Sequence, residues 1–325
     1  MDVPPSTLKL LAPGLCTLVV DFGRQVTRGF GVPVGGAADR FSLAVGNGLV
    51  GNPPDAAALE VTLSGPTLQA TCPVACVVFG APFELSIDRR TLSAGTTFTL
   101  WPGETLRVGG TRRGMRAYLC VAGGIRTAPV LGSRSSLEPL RAGAELPCTQ
   151  GAVRGRSLRI PPDGDPHLEH LAGVAQPPLR LRALAGPQAD WFAADEFFDG
   201  PRFTVASASD RMGLRLQGEP LRVPPRELVS EPVCPGSVQV TRDGQCVLLG
   251  IDGQTIGGYP KVAQVVGADV DLLGQLRPGD RVSFERIEIG EAERLYRRRR
   301  AVLGEWLMRL RVAEMFAVPG RGPVG

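Results

Sequence analysis

Lysine is almost missing from this 325-residue chain: 34 of its 36 basic residues are arginine, leaving only Lys9 and Lys261. Arginine presents a rigid planar fork of donors and lysine a compact ammonium on a flexible stem. A lysine kept in "DGQTIGGYPK" (252–261) is therefore a candidate for chemistry that arginine does not do. A hairpin turn ending in a solvated lysine fits the same stretch.

Histidine is nearly as scarce, with His167 and His170 both in "DPHLEH". A Ser-His-Asp or Cys-His machine needs an imidazole held in a site, and a Pro/Gly-rich connection is a poor place to hold one. An i, i+3 pair with no third ligand does not make a metal site, and Cys72 and Cys76 lack a second ligand pair, so no metal is expected. Neither lysine follows the P-loop spacing. No G-x-G-x-x-G follows a strand, and no methionine adjoins a lysine as biotin attachment requires.

Long apolar runs are also absent, none reaching the roughly 18 residues of a membrane helix. The first residues lack the basic charge of a signal peptide. Seven cysteines, an odd number, are scattered from 16 to 246 and read as reduced thiols of a cytoplasmic protein. The net charge of +4 has much of its positive excess in "RLYRRRRAVLGEWLMRLR" (294–311), so neither nucleic acid nor a membrane is expected as partner.

Glycine (42) and proline (29) are abundant instead, and they punctuate short apolar runs as turns punctuate strands. "ACVVFGA", "FELSI", "TFTLW" and "RAYLCVAGGI" read as strands of a barrel or sandwich. A second all-β set runs from "LRLRAL" to "RVSFERI". The pattern predicts a mainly β chain: a β-rich unit over 1–160, a linker over 161–178, a second β unit over 179–289, and a basic helix and tail over 290–325. Asp39 is placed to cap a helix carrying Phe41, Leu43, Ala44, Val45 and Leu49, stopped by Gly51-Asn52-Pro53. In the tail, Leu295, Val302, Leu303, Trp306, Leu307, Leu310 and Val312 fall near one side of a helix, with arginine on the rest.

The remaining polar chemistry forms three clusters. Asp39, Asn47 and Glu60 follow a glycine-rich turn; Asp39 as a cap and Glu60 as an arginine partner are the structural readings. Asp210-Arg211 sit after a strand, where a turn lets both face a cleft and Arg211 act as a bidentate anion clamp. Ser230, Glu231 and Gln239 precede the stretch that supplies Asp252, Gln254, Thr255, Tyr259 and Lys261, with Gly257-Gly258 as a candidate backbone anion nest.

"GVPVGGAADRFSLAVGNGLVGNPPDAAALEVTLSGP", "SASDRMGLRLQG", "SEPVCPGSVQV", "DGQTIGGYPKVAQV" and "QLRPGDRVSF", in this order, resemble the carboxyltransferase-domain family of allophanate hydrolase subunit 2, KipA-type proteins and the C subunit of 5-oxoprolinase. The resemblance implies two β-rich, barrel-like domains, the second cyclophilin-like. It implies a KipI-type partner and a LamB/YcsF-type partner, with ATP used by the assembly to open 5-oxo-L-proline to L-glutamate. It equally implies a urea or amide carboxyltransferase, or allophanate hydrolase component, fed by biotin on another chain. A KipA-like binder of a kinase inhibitor is the non-enzymatic alternative. Carried over by residue, Lys261 is the site cation, with Asp210 and Glu231 as its catalytic companions. Arg211, Gln239, Gln254, Thr255, Gly257, Gly258, Tyr259, Asp39, Asn47 and Glu60 are the expected substrate-binding set. The chain departs from the family spelling Asp-Arg-Gln-Thr-Thr-Gly-Gly-Tyr at Gly253 and Ile256, losing an arginine and a hydroxyl.

Overall fold

Short strands bounded by turns pair into two facing sheets in the first half of the chain. The computed structural model describes residues 6–158, 161–162, 164–198, 200 and 202–315. One sheet has six strands, in the order Glu145–Pro147, Thr7–Ala12, Thr67–Ala70, Thr105–Thr111, Phe83–Ile87, Arg90–Leu92. The other has five, in the order Cys16–Val20, Ala58–Thr62, Arg116–Val121, Val74–Gly80, Phe98–Leu100. Leu8, Leu10, Leu68 and Val108 of the first meet Leu59, Val61, Leu119 and Val121 of the second in one core.

The five-stranded sheet is covered on its other face too. Leu18, Val20, Ala58, Val77, Tyr118 and Cys120 pack there against helix α1 (Arg40–Leu49). Burial on both faces explains why Arg116–Val121 reads as an unbroken apolar-rich run rather than an alternation. Asp39 caps α1 by accepting from the Ser42 backbone N–H at 2.9 Å. A Cβ at Gly46 would lie 2.8 Å from the Cys120 sulfur, so glycine sets how closely the helix approaches the sheet.

The other helices are α2 (Pro166–Ala172), α3 (Ala194–Phe197), α4 (Val270–Leu273) and α5 (Ile289–Met315). The second half is a closed seven-stranded barrel, in the order Leu179–Ala185, Lys261–Val265, Ser237–Val240, Cys246–Leu249, Gly213–Gln217, Phe203–Val205, Arg281–Arg286. Its first and last strands close it in parallel, with Phe203 and Phe284 in the core beside Phe197 of α3. A two-stranded ribbon beside the barrel pairs Glu231 with Gly257.

Two features differ from the sequence expectation. The stretch read as a linker contains α2, because Asp165 caps it through the N–H groups of His167 and Leu168 and Pro166 occupies its first turn. His167 is then 1% exposed rather than loose in a connection. In α5 the expected apolar side is partly realised, with Leu310 buried and Leu295 and Leu303 partly so, while Val312 stays exposed. Arg299 lies on the packed face, not with the solvated arginines, because Asp165 and Asp271 receive it at 2.6 and 3.1 Å. The expected tail beyond residue 315 falls outside the described residues.

The sheets and the barrel are bolted together by Gln275. Its Oε1 accepts from the backbone N–H groups of Met115 (3.0 Å) and Arg116 (3.1 Å), and its Nε2 donates to the Arg116 carbonyl (3.0 Å) and to Asp39 (2.6 Å). All four contacts lie in the buried interior, where a satisfied amide network fixes one arrangement of its neighbours.

Candidate functional site

Lys261 opens a barrel strand with Gln239 as its cross-strand partner, next to a register shift between Val238 and Gln239. The turn at Gly186-Pro187-Gln188 folds over it. A Cβ at Gly186 would stand 2.1 Å from the Lys261 carbonyl oxygen, so only glycine fits. Gln188 takes the backbone on both sides: its N–H donates to Lys261 O at 3.2 Å and its Oε1 accepts from Lys261 N at 3.0 Å. The stem is thus fixed before the side chain begins.

That side chain is only 6% exposed, and its ammonium is bonded to Glu231. Gln188 Nε2 donates to the same carboxylate at 3.2 Å. These two bonds, Lys261 first, hold the Glu231 carboxyl below its ordinary pKa and keep it an acceptor at neutral pH. The lysine is therefore paired and buried, not the solvated end of a hairpin.

Gln239 completes the group. It is 2% exposed, yet its Nε2 has no hydrogen-bond partner among the described residues. A buried donor left unsatisfied costs about 1–3 kcal/mol. Gly257 explains how two amides reach this spot, since a Cβ there would lie 2.5 Å from Gln239 Nε2 and 2.9 Å from Gln254 Nε2. Neither Gly257 nor Gly258 has the left-handed backbone of an anion nest, so the expected nest is not formed; Gly257 instead pairs in the ribbon. Thr255 is buried and its carbonyl accepts from Val233 N at 3.0 Å, while Tyr259 stands at the rim, 41% exposed.

A second network lies where the sheets meet the barrel. Arg211 bonds Asp252 through Nε (2.6 Å) and Nη2 (3.0 Å), the Gly36 carbonyl through Nη2 (2.7 Å), and Glu60 through Nη1. The anion clamp expected of Arg211 thus closes on the protein's own carboxylates. Glu60 also receives Tyr118 OH at 2.8 Å and the Ala38 N–H at 2.9 Å, with Arg116 3.2 Å away. Burial pushes its carboxyl up, but Arg211 and Arg116 prevail and hold it below the usual range. Asp39 accepts from Ser42 Oγ (2.6 Å) and Gln275 (2.6 Å) and bonds His167 Nε2 (2.7 Å). Here too burial opposes the charge, and His167 with Ser42 brings the pKa down to about 2.

The structure gathers Lys261, Glu231, Gln239, Gln254 and Gly257 into one group, with Thr255, Gly258 and Tyr259 on the adjoining chain. Asp39, Glu60 and Arg211 belong to the interface network, fully engaged by protein partners. Asn47 is 0% exposed and donates to the Ala56 carbonyl at 2.8 Å, holding the turn after α1. Asp210 is exposed and caps its own turn through the N–H groups of Met212 (2.8 Å) and Gly213 (3.1 Å). Their places differ from the expected substrate contact because each side chain is consumed by local or interface hydrogen bonds. Sequence reasoning misses Gln188 and Arg28. Arg28 reaches from the sheets to the ribbon, bonding the carbonyls of Val233 and, at 3.4 Å, Gln254. The Gly186-Pro187 turn is the one local sign of Gln188.

Among the described residues no helix is long and apolar enough to cross a membrane, and no group of three or more His, Cys, Asp or Glu is arranged to hold a metal ion. The profile of the family described as carboxyltransferase domain, subdomain A and B, matches residues 30–286. The chain is 35% identical to the C subunit of 5-oxoprolinase from Haemophilus influenzae, covering 88% of this chain and 93% of that protein. The crystal structure of TTHA0988 superposes with a TM-score of 0.75 at 35% identity, covering 87% of this chain and 56% of that one. The Kluyveromyces lactis urea carboxylase gives 0.81 at 27% identity over 94% of this chain, which spans 30% of that larger one. The chain thus spans just over half, or less, of the solved chains it resembles.

Proposed function

The chain belongs to the carboxyltransferase-domain family, and from that premise we propose that it is the C-type subunit of an ATP-dependent 5-oxoprolinase. It works with a KipI-type and a LamB/YcsF-type subunit to open 5-oxo-L-proline to L-glutamate. The observation that carries this reading is the buried Gln239 Nε2, without a hydrogen-bond partner among the described residues, beside the Lys261–Glu231 pair. A planar amide offers one carbonyl oxygen and one N–H. Lys261 and Gln239 supply two donors for the oxygen, and Glu231 supplies an acceptor for the N–H.

Negative charge grows on the amide oxygen as the carbonyl carbon is attacked, and donors fixed in advance in a water-poor pocket stabilise that charge most. Gln188 and Gly257 act indirectly, the first by orienting Lys261 and Glu231, the second by admitting Gln239. Asp210 lines the neighbouring cleft and caps its own turn there, so it is not assigned contact with the amide. ATP supplies the free energy for ring opening when bound in the assembled complex. Among the described residues, the donor set around Lys261 has neither a helix N-terminus nor a glycine nest to cradle a triphosphate, so we place the nucleotide on a partner subunit.

A second reading is favoured by one specific likeness, the superposition on urea carboxylase. Urea presents the same carbonyl and N–H pattern, and the same residues would receive it, with biotin carried on another chain. The experiment is reconstitution. The chain co-purified with its two partners should release glutamate and phosphate from 5-oxoproline and ATP. A verified complex that releases neither, but moves a carboxyl group from carboxybiotin to urea, replaces the first reading with the second. A partner complex with no turnover in either assay would leave the KipA-like binder.

A further inference from the structure

We propose that the cleft between the sheets and the barrel is a separate binding site for a small organic carboxylate with an apolar body, and that Arg40 is the cation that receives the carboxylate. The cleft has a volume of about 550 Å³ and does not include Lys261, Glu231 or Gln239 in its lining. It is thus distinct from the proposed amide site.

Its walls are apolar in large part, with Phe22, Val34 and Phe41 from the sheet side, Leu214 and Leu249 from the barrel and Leu303 from α5. Five guanidinium groups border it: Arg40, Arg116, Arg211, Arg299 and Arg300. Three are taken. Arg211 holds Asp252 and Glu60, Arg116 stands 3.2 Å from Glu60 and donates to the Gly274 carbonyl at 2.7 Å, and Arg299 holds Asp165 and Asp271.

Arg40 differs from these. Its side chain has no carboxylate at ion-pair distance among the described residues, where Arg116, Arg211 and Arg299 each have one. Its Nε is buried and without a hydrogen-bond partner among the described residues. The nearby carboxylate, Asp271, accepts from the Arg40 backbone N–H at 3.0 Å, and its other oxygen is occupied by Arg299. The guanidinium otherwise faces the Phe22 ring, 5.9 Å from its centroid. Burial pushes its pKa down, the sign of a cation that has given up water without full compensation. Arg300, also in the lining, stands over the Tyr296 ring at 5.9 Å and has no ion pair among the described residues. A guanidinium matches a carboxylate in a bidentate fork, and the surrounding hydrocarbon suits an apolar body. A free phosphate would forfeit most of its hydration for the same few donors, which is why the structure points to a carboxylate with an apolar body.

Octanoate, octanol and inorganic phosphate are the probes, titrated into the full chain by calorimetry. Octanoate should bind at one site per chain, with octanol and phosphate giving no saturable heat. Arg40→Gln should weaken octanoate by about tenfold or more, the loss of a charge-assisted hydrogen bond. Lys261→Ala should leave octanoate binding unchanged, so failure of the amide-site reading and failure of this one are separately visible. The octanoate and octanol comparison in the unaltered protein needs no variant and stands if Arg40→Gln misfolds. No saturable octanoate binding, equal binding of octanol, or undiminished binding by a folded Arg40→Gln chain would each overturn the proposal.

Discussion

Lys261 and Glu231 form an ion pair that is lopsided in exposure: the lysine side chain is 6% exposed and the carboxylate 38%. The cation is enclosed between the barrel strand that carries it and the Gln188 turn, and meets solvent through its partner. In the reconstituted complex, Lys261→Ala should lower kcat by about 10²–10³-fold, the usual cost of removing one donor to a developing oxyanion. Lys261→Arg should rescue little, because the planar fork does not fit a position built for a point charge. Steady-state kinetics checks both, and an arginine variant with near-normal kcat would show that charge alone suffices.

Gly257→Ala places a methyl group 2.5 Å from Gln239 Nε2 and 2.9 Å from Gln254 Nε2. Two amides must move, and overpacking of this kind costs roughly 1–3 kcal/mol. The expected result is a lower urea midpoint together with a raised KM. By contrast Gly258→Ala, whose Cβ would meet Ser230 Oγ at 3.4 Å, should be well tolerated.

Acid sensitivity should trace to Asp39. Its pKa is lowered from 3.8 to about 2, so the native state favours the carboxylate. Stability from this group is complete above the unfolded pKa near 4 and is lost as pH falls towards 2. Asp39→Asn should destabilise the chain at pH 7 by about 3 kcal/mol, because Ser42, His167 and Gln275 would meet an amide where they now meet a carboxylate. The gap between variant and parent should shrink as pH drops from 4 to 2. Urea denaturation across that range measures it, and a constant gap would place the acid limb elsewhere.

Arg211→Met strands Glu60 and Asp252 at the junction of the two halves. Breaking a buried pair from one side costs about 3–5 kcal/mol, and Arg116 beside Glu60 sets the expectation at the low end. Limited proteolysis should show earlier cleavage between the sheets and the barrel than in the parent chain.

Much of this architecture is written locally. The period of two in the strands, the Asp39 cap and the Gly51-Asn52-Pro53 stop of α1, and the long helix of the tail are all short-range signals. Lys261 is marked by rarity and by its glycine-rich approach. Gln188 is not, since it lies 73 residues away and meets Lys261 only because two barrel strands are neighbours. α2 is legible in principle from Asp165-Pro166, but the surrounding prolines and glycines outweigh that signal. Arg211, Glu60 and Asp39 are recognisable as polar residues among glycines. Each has at least one partner from the other half of the chain or from α2, so no local pattern separates a tether from a substrate contact.

The loop from Gly250 to Gly257 has two anchorages. Asp252 grips Arg211, the Ile251 carbonyl accepts from Gly35 N at 3.2 Å, and a few residues on Gln254 and Gly257 sit against Gln239. A docking partner that altered the angle between the sheets and the barrel would pull on one end of this loop and move the other. The posture of the two halves and the shape of the amide pocket therefore share a single mechanical linkage, and docking at a distance has a covalent route to the amide pocket.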